Sequence, residues 1–279
     1  MRFLFLIAVF FSASAAAQFN FDRFNINKIL DTAKNVVKAT SDIAEPEEIQ
    51  IGNDLAARLL GAARLVPDDG VQRYVNLVGR WLAAQTERPD LPWQFGVLDA
   101  PEVNAFAVPG GTIFITRGLL ERMKSEAELA GVLAHEISHV VRKHHLKAIQ
   151  KGAQTALAGQ ALSQVVKTQR SELRDKLIGV GTETFTRGLD KSDEFEADRL
   201  AVVIAARAGY DTYGLPAVLQ TLQAMNAQDT ALAMMFKTHP TPADRLAALA
   251  EKMQPTLDAY ASQPQLAERF GTQAKFASK

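Results

Sequence analysis

Residues 125–139 read SEAELAGVLAHEISH. Ser125 followed by Glu128 makes a capping-box pair, in which the serine hydroxyl accepts from a first-turn amide and the glutamate reaches back. With the apolar run behind it, this start predicts a helix from Ser125 to about Lys151. On such a helix His135 and His139, four residues apart, stack on one face and can reach a single ion. Glu136 lies about 100° further round, within reach of a water in that ion's open position. Two neutral ligands beside a base is the physical content of the H-E-x-x-H pattern. With 5 histidines in the chain, the alternative of a surface helix with coincidental histidines is remote.

Two imidazoles need a third protein ligand. His145 sits where a related pattern places a third histidine, but that pattern needs a glycine at 142 to turn the chain back. Arg142 stands there. On an unbroken helix His145 points about 120° away from His139, so His144 and His145 read as solvated residues. The other candidate is Asp193-Glu194-Phe195-Glu196-Ala197-Asp198. Glu194 and Asp198 are i,i+4 and share a stripe with Ala201 and Ala205, small enough for a close approach to the H-E-x-x-H helix. One carboxylate could ligate and the other could stand behind a ligand histidine. A solvated acidic first turn, favoured by the helix dipole, accounts for the same residues.

The rest of the 279-residue chain frames that helix. Residues are 47% hydrophobic and 22% charged, with zero formal net charge and no cysteine. That excludes disulfides and thiol ligands and gives no electrostatic reason to expect nucleic acid. Arg2, the apolar run Phe3 to Phe11 and Ala15-Ala16-Ala17 read as a signal peptide over 1–17. A helical extension over 18–45 follows, with one helix at Phe24 to Ala39. Helices are expected after Pro46 and over Val71 to Gln85. Trp93 to Leu98, Val103 to Val108 and Thr112 to Thr116 are β-rich, the last two joined by Pro109-Gly110-Gly111. Residues 152–190 read as a broken helical excursion. Further helices are expected from Ser192 to Ala208, from Leu215 to Asn226, and after Thr241-Pro242, an N-cap followed by proline at the first helical position. Residues 254–279 read as a polar, partly frayed tail. The class is α+β, mostly helical, with a small sheet beside the H-E-x-x-H helix.

HEISH and EFEAD together resemble the HtpX and CAAX-prenyl-protease family of gluzincin zinc peptidases, in which H-E-x-x-H is followed by E-x-x-A-D. The flanks agree: NAFAVPGGTIFITRGLL at 104–120 and THPTPADRL at 238–246. The likeness runs over roughly residues 45 to 253. It implies a zincin-like metallopeptidase domain over 46–253 holding one Zn2+ per chain. His135, His139 and Glu194 would be the ligands, Glu136 the base, and Asp198 the carboxylate behind a ligand histidine. Among its members this chain resembles the soluble periplasmic ones, without the helical-repeat domain that some carry.

The resemblance also assigns the surroundings. Asn104-Ala105-Phe106 corresponds to an edge strand that pairs with an extended protein substrate; packing of Phe106 in the core is the alternative. His239 and Arg245 are candidate catalytic donors to the oxyanion. Arg245 could instead pair with Asp198 or Glu196, and His239 could latch the ion's open position or simply cap its loop. The implied role is cleavage of unfolded or misassembled exported proteins in the periplasm, in association with outer-membrane assembly machinery.

Overall fold

The computed structural model describes residues 43–158, 170–225 and 229–276. The expected signal peptide and the helix at 24–39 lie outside them. Two helices come first, α1 (Glu45–Ala62) and α2 (Asp69–Ala83). Asp68 caps α2 by accepting from the Val71 amide at 3.1 Å.

Three strands follow: β1 (Gln94–Leu98), β2 (Ala105–Ala107) and β3 (Thr112–Thr116). β3 is central, pairing parallel with β1 and antiparallel with β2. Gly110 and Gly111 take φ of 82° and 108°, which is why glycine closes the β2–β3 connection. Alternation along the strands feeds two cores. Phe95, Val97, Ile113 and Ile115 enter the main one. Leu98 and Phe114 face a second, built with Ile51 and Leu55 of α1 and with Leu146, Ile149 and Leu177.

After the short α3 (Arg117–Leu120) comes α4 (Glu126–Val141), every residue of which is buried. Ser125 Oγ accepts from the Glu128 amide at 3.2 Å, while Glu128 Oε2 reaches one residue further back, to the Lys124 amide at 2.9 Å. α4 does not run on to Lys151. It stops at Val141, and α5 (His144–Ala158) starts afresh. Lys143 between them has φ 59°, a left-handed conformation costing about 1–2 kcal/mol for a side-chain-bearing residue. Its offset comes from α1. Lys143 Nζ lies 3.0 Å from Glu48, a fully buried carboxylate that also takes both amino groups of Arg88. Arg88 in turn donates to the Val140 carbonyl at 3.2 Å, capping the end of α4. The break that a glycine would provide is imposed here by ion pairs.

Of the region expected as a broken helical excursion, residues 159–169 lie outside the described ones; on either side of them α5 runs to Ala158 and α6 (Arg170–Arg187) is continuous. α7 (Lys191–Ala208) packs against α4, with its Ala197, Ala201 and Ala205 buried, and ends on Gly209 at φ 84°. α8 (Gly214–Ala224) crosses α4 so closely that a Cβ on Gly131 would sit 2.5 Å from the Leu215 amide. A 3-10 turn (Thr230–Leu232), α9 (Ala233–Thr238) and α10 (Pro242–Ala259) follow. Thr241 caps α10 by accepting from the Asp244 amide at 3.1 Å. The stretch expected as a polar tail contains the end of α10 and a docked helix, α11 (Ala267–Gln273). Phe270 of α11 is buried in the main core and Arg269 grips Glu126. The periodicity of so short a helix is weak, and one aromatic anchor carries it. No helix of the described residues is long and apolar enough to cross a membrane.

Candidate active site

The last two turns of α4 and the first two of α7 meet face to face. His135 and His139 come from α4, with their Nε2 atoms 3.1 Å apart. Glu194 on α7 faces both: Oε2 lies 3.6 Å from His135 Nε2, and Oε1 lies 3.6 Å from His139 Nε2. The three side chains are 1–3% exposed. Two ring nitrogens and a carboxylate thus converge on one buried point. Ligand atoms of His135, Glu194 and His239 all lie within 4.8 Å of one another.

The charges around that point suit a cation. Burial opposes ionisation of Glu194, but His239, His135 and His139 hold it well below the usual carboxylate range, so it is an anion. Burial drives His139 well below its ordinary value, leaving a neutral imidazole. Burial and Arg245 would lower His135, yet Asp198 and Glu194 raise it to about 9. The carboxylates there draw positive charge to His135, which a bound metal ion would supply instead. The donor set, two imidazoles and a carboxylate, matches a catalytic site with a position left open.

Asp198, one turn beyond Glu194, sits behind His135 with Oδ1 2.9 Å from Nδ1. It is held by Arg245 through Nε at 2.9 Å and through a second amino group at 2.5 Å. Burial opposes its ionisation, but Arg245 and His135 take it down to about 2. Of the two alternatives for Arg245, the ion pair with Asp198 is the one formed. Its guanidinium is bidentate to that carboxylate, lies 3.2 Å from His135 Nδ1 and lines one of the cavities beside the cluster.

Glu136 is 4% exposed and lines both cavities beside the cluster. Burial pushes its carboxyl above the ordinary range. One cavity joins an apolar wall of Leu119, Val132, Leu215, Val218 and Leu222 to His135, Glu136 and Arg245; the other runs past Ala105, Phe106 and Ala107. β2 is an edge of the sheet. Its register with β3, and the bond from the Thr116 amide to the Asn104 carbonyl, turn the backbone groups of Ala105 and Ala107 outward. Asn104 is buried, and its side chain accepts from the Ala105 amide at 3.0 Å. Phe106 is half-buried and packs on the second core, in line with the packing alternative.

His239 ends α9 and reaches Glu194, with Nδ1 2.6 Å from Oε2. It lines both cavities. Its loop is seated on Gly188, where a Cβ would come 2.2 Å from the Thr238 carbonyl oxygen.

His144 and His145 are not the solvated residues the sequence predicts. With the helix broken at Lys143, His144 folds back to place its Nδ1 3.0 Å from His139 Nδ1. His145 lines the β2 cavity together with Glu136 and Glu194. The prediction assumed a continuous helix, and no local signal contradicts that assumption, because the residues that break it are in α1 and after α2.

Residues 70–253 match the model of peptidase family M48. The beta-barrel assembly-enhancing protease of Escherichia coli K12 is 30% identical over 216 residues, covering 75% of this chain and 44% of that protein. Mitochondrial metalloendopeptidase OMA1 of Arabidopsis thaliana is 30% identical over 189 residues, 67% of this chain and 37% of that protein. Metalloprotease YcaL of Escherichia coli K12 is 27% identical over 154 residues, 55% of this chain and 59% of that protein. The chain thus spans less than half the length of the first of these relatives. With the family model covering the sheet, the His–Glu–His cluster and the α10 arginine together, the chain belongs to peptidase family M48.

Proposed function

We propose that this chain is a zinc-dependent endopeptidase that cleaves unfolded or misassembled exported and outer-membrane proteins in the periplasm. One observation carries the chemistry: the two α4 imidazoles and the Glu194 carboxylate converge on a buried point beside Glu136 and an edge strand. His135, His139 and Glu194 would hold one zinc ion, which when bound supplies a Lewis acid to polarise the scissile carbonyl. Glu136 takes the proton from the attacking water and delivers it to the leaving amine, and its buried, raised carboxyl suits both steps. Asp198, fixed by Arg245, orients His135. The outward carbonyl of Ala105 and the backbone groups of Ala107 pair with an extended substrate, while the Ala105 amide is held by the Asn104 side chain at the start of the strand. Such pairing reads backbone rather than side chains and so favours unfolded chains.

His239 acts as a latch. In this reading its imidazole, 2.6 Å from Glu194 and lining both cavities, gives way when substrate binds. Exported and outer-membrane substrates are supported by the name of the first relative above and by the signal-like residues 1–17.

Casein turnover with and without chelator, for wild type and Glu136→Gln, tests this reading. The variant should keep its zinc and lose proteolysis by 10²–10⁴-fold, since an amide hydrogen-bonds but accepts no proton. Turnover at the wild-type rate would sink it, as would hydrolysis of peptidoglycan in place of casein.

A further inference from the structure

The two α4 histidines are backed differently. His135 Nδ1 meets the Asp198 carboxylate, whereas His139 Nδ1 meets a second imidazole, that of His144. His144 is 1% exposed, with its ring centroid 5.1 Å from that of His139 and tilted 72° to it. Two ring nitrogens 3.0 Å apart share one proton, so one donates and the other accepts.

The direction follows from the far side of each ring. If His139 Nε2 offers its lone pair to an ion beside Glu194, the His139 proton is on Nδ1 and is donated. His144 Nδ1 must then accept, which puts the His144 proton on Nε2. That end of the ring faces two carboxylates, Glu196 Oε2 at 3.5 Å and Asp193 Oδ1 at 3.9 Å. Glu196 is steadied from the other side by Arg142 Nε at 3.1 Å. The acidic side of α7 therefore favours the tautomer of His144 that leaves Nδ1 free to accept.

We propose that His144 is a positioning residue for His139. It fixes the tautomer and plane of that ring so that the Nε2 lone pair points at the metal position, and Asp193 and Glu196 select the His144 tautomer that does so. The proposal rests on His139 being a ligand. It also gives the helix break a purpose: on a continuous helix His144 could not fold back, so Glu48, Arg88 and Lys143 position His139 through His144. A neutral acceptor behind His139 and an anion behind His135 make the two histidines unequal, His135 being the more basic.

The test is zinc affinity of the full chain, read by competition with a chromophoric chelator. His144→Ala should weaken it 10- to 100-fold, the usual effect of losing the partner behind a ligand histidine. His144→Asn should recover most of the loss, because its Oδ1 can accept where Nδ1 did. Wild-type affinity in His144→Ala, or no recovery in His144→Asn, overturns the proposal. His139→Ala is the control. If it loses zinc while His144→Ala does not, only the positioning role fails; if it keeps zinc, the ligand reading fails and takes the proposal with it. Should His144→Ala not fold, nitrogen NMR of histidine-labelled, zinc-loaded wild type decides. The proton of His144 should be on Nε2, and an Nδ1 proton refutes the proposal.

Discussion

At the N-terminal end of α4, Glu126 is met by four donors: the hydroxyls of Tyr74 at 2.8 Å and Tyr210 at 2.7 Å, and Arg269 through Nε at 2.6 Å and a second amino group. At the other end, Glu194 is just as buried but among the described residues has one close partner, His239, with the α4 imidazoles held off at 3.6 Å. The saturated carboxylate ties α2, α4, the start of the α8 connection and α11 together and has no capacity left for chemistry. The unsaturated one keeps lone pairs aimed where two imidazoles aim theirs. Burial alone does not mark a functional acid; what distinguishes Glu194 is that its neighbours are imidazoles, whose ring nitrogens can ligate as well as donate, where those of Glu126 are two phenols and a guanidinium.

Removing each carboxylate in turn should separate the two roles, and this is the largest effect expected. Glu194→Ala should lower zinc affinity by more than about 10²-fold, beyond the loss of a partner behind a ligand, with little change in thermal midpoint of the metal-free chain. Glu126→Ala should do the reverse. Its folded form should bind zinc normally, while stability falls on the order of 2 kcal/mol because two tyrosine hydroxyls lose their acceptor. Zinc content after dialysis and chemical denaturation measure the two. If Glu126→Ala loses zinc at unchanged stability, the contrast is mistaken.

His239 sharpens the contrast from the Glu194 side, since its ring nitrogen lies 2.6 Å from that carboxylate. His239→Ala should raise basal peptide turnover if the imidazole is a latch. A fall of about 10²-fold would instead identify it as an oxyanion donor. Unchanged turnover at unchanged zinc content would reject both and leave a loop residue.

The two ends of α4 also differ in how far the sequence reveals them. The start of α4, the Thr241-Pro242 cap and the three strands are legible because each is set by residues within a few positions. His135, Glu136 and His139 are legible for the same reason. Glu194 and Asp198 cannot be told from a solvated acidic turn by position alone, and the family resemblance supplies their reading. His144 is hidden, because the break that turns it inward depends on Lys143 adopting a left-handed backbone for the sake of Glu48, some ninety residues earlier. The Glu126 lock is hidden for the same reason: its donors come from α2, from the loop after α7 and from α11. Interactions that close long loops leave no periodic trace in the chain.

The smallest effect concerns acid. Burial would raise the Glu126 pKa, but hydrogen bonds from Arg269, Tyr210 and Tyr74 outweigh it and hold the folded value below the ordinary 4.5. A carboxyl depressed on folding stabilises the native state fully above its unfolded pKa. That contribution fades as pH falls toward and through the folded value, because the unfolded chain takes up the proton first. Glu48 has the same sign: burial raises it, Arg88 and Lys143 lower it further, and the net is downward. Glu126→Gln removes one such contribution and leaves the other. The variant should therefore be less stable than wild type at pH 7, and the gap should narrow as the pH is taken from about 5 to about 3, the range below the ordinary glutamate pKa. Thermal unfolding of the two proteins across that range is the measurement. Parallel curves would mean that the Glu126 carboxyl titrates alike in the folded and unfolded chain. In that case its four donors hold α11 in place without favouring the charged form, and the N-terminal end of α4 would be a geometric clamp rather than an electrostatic one.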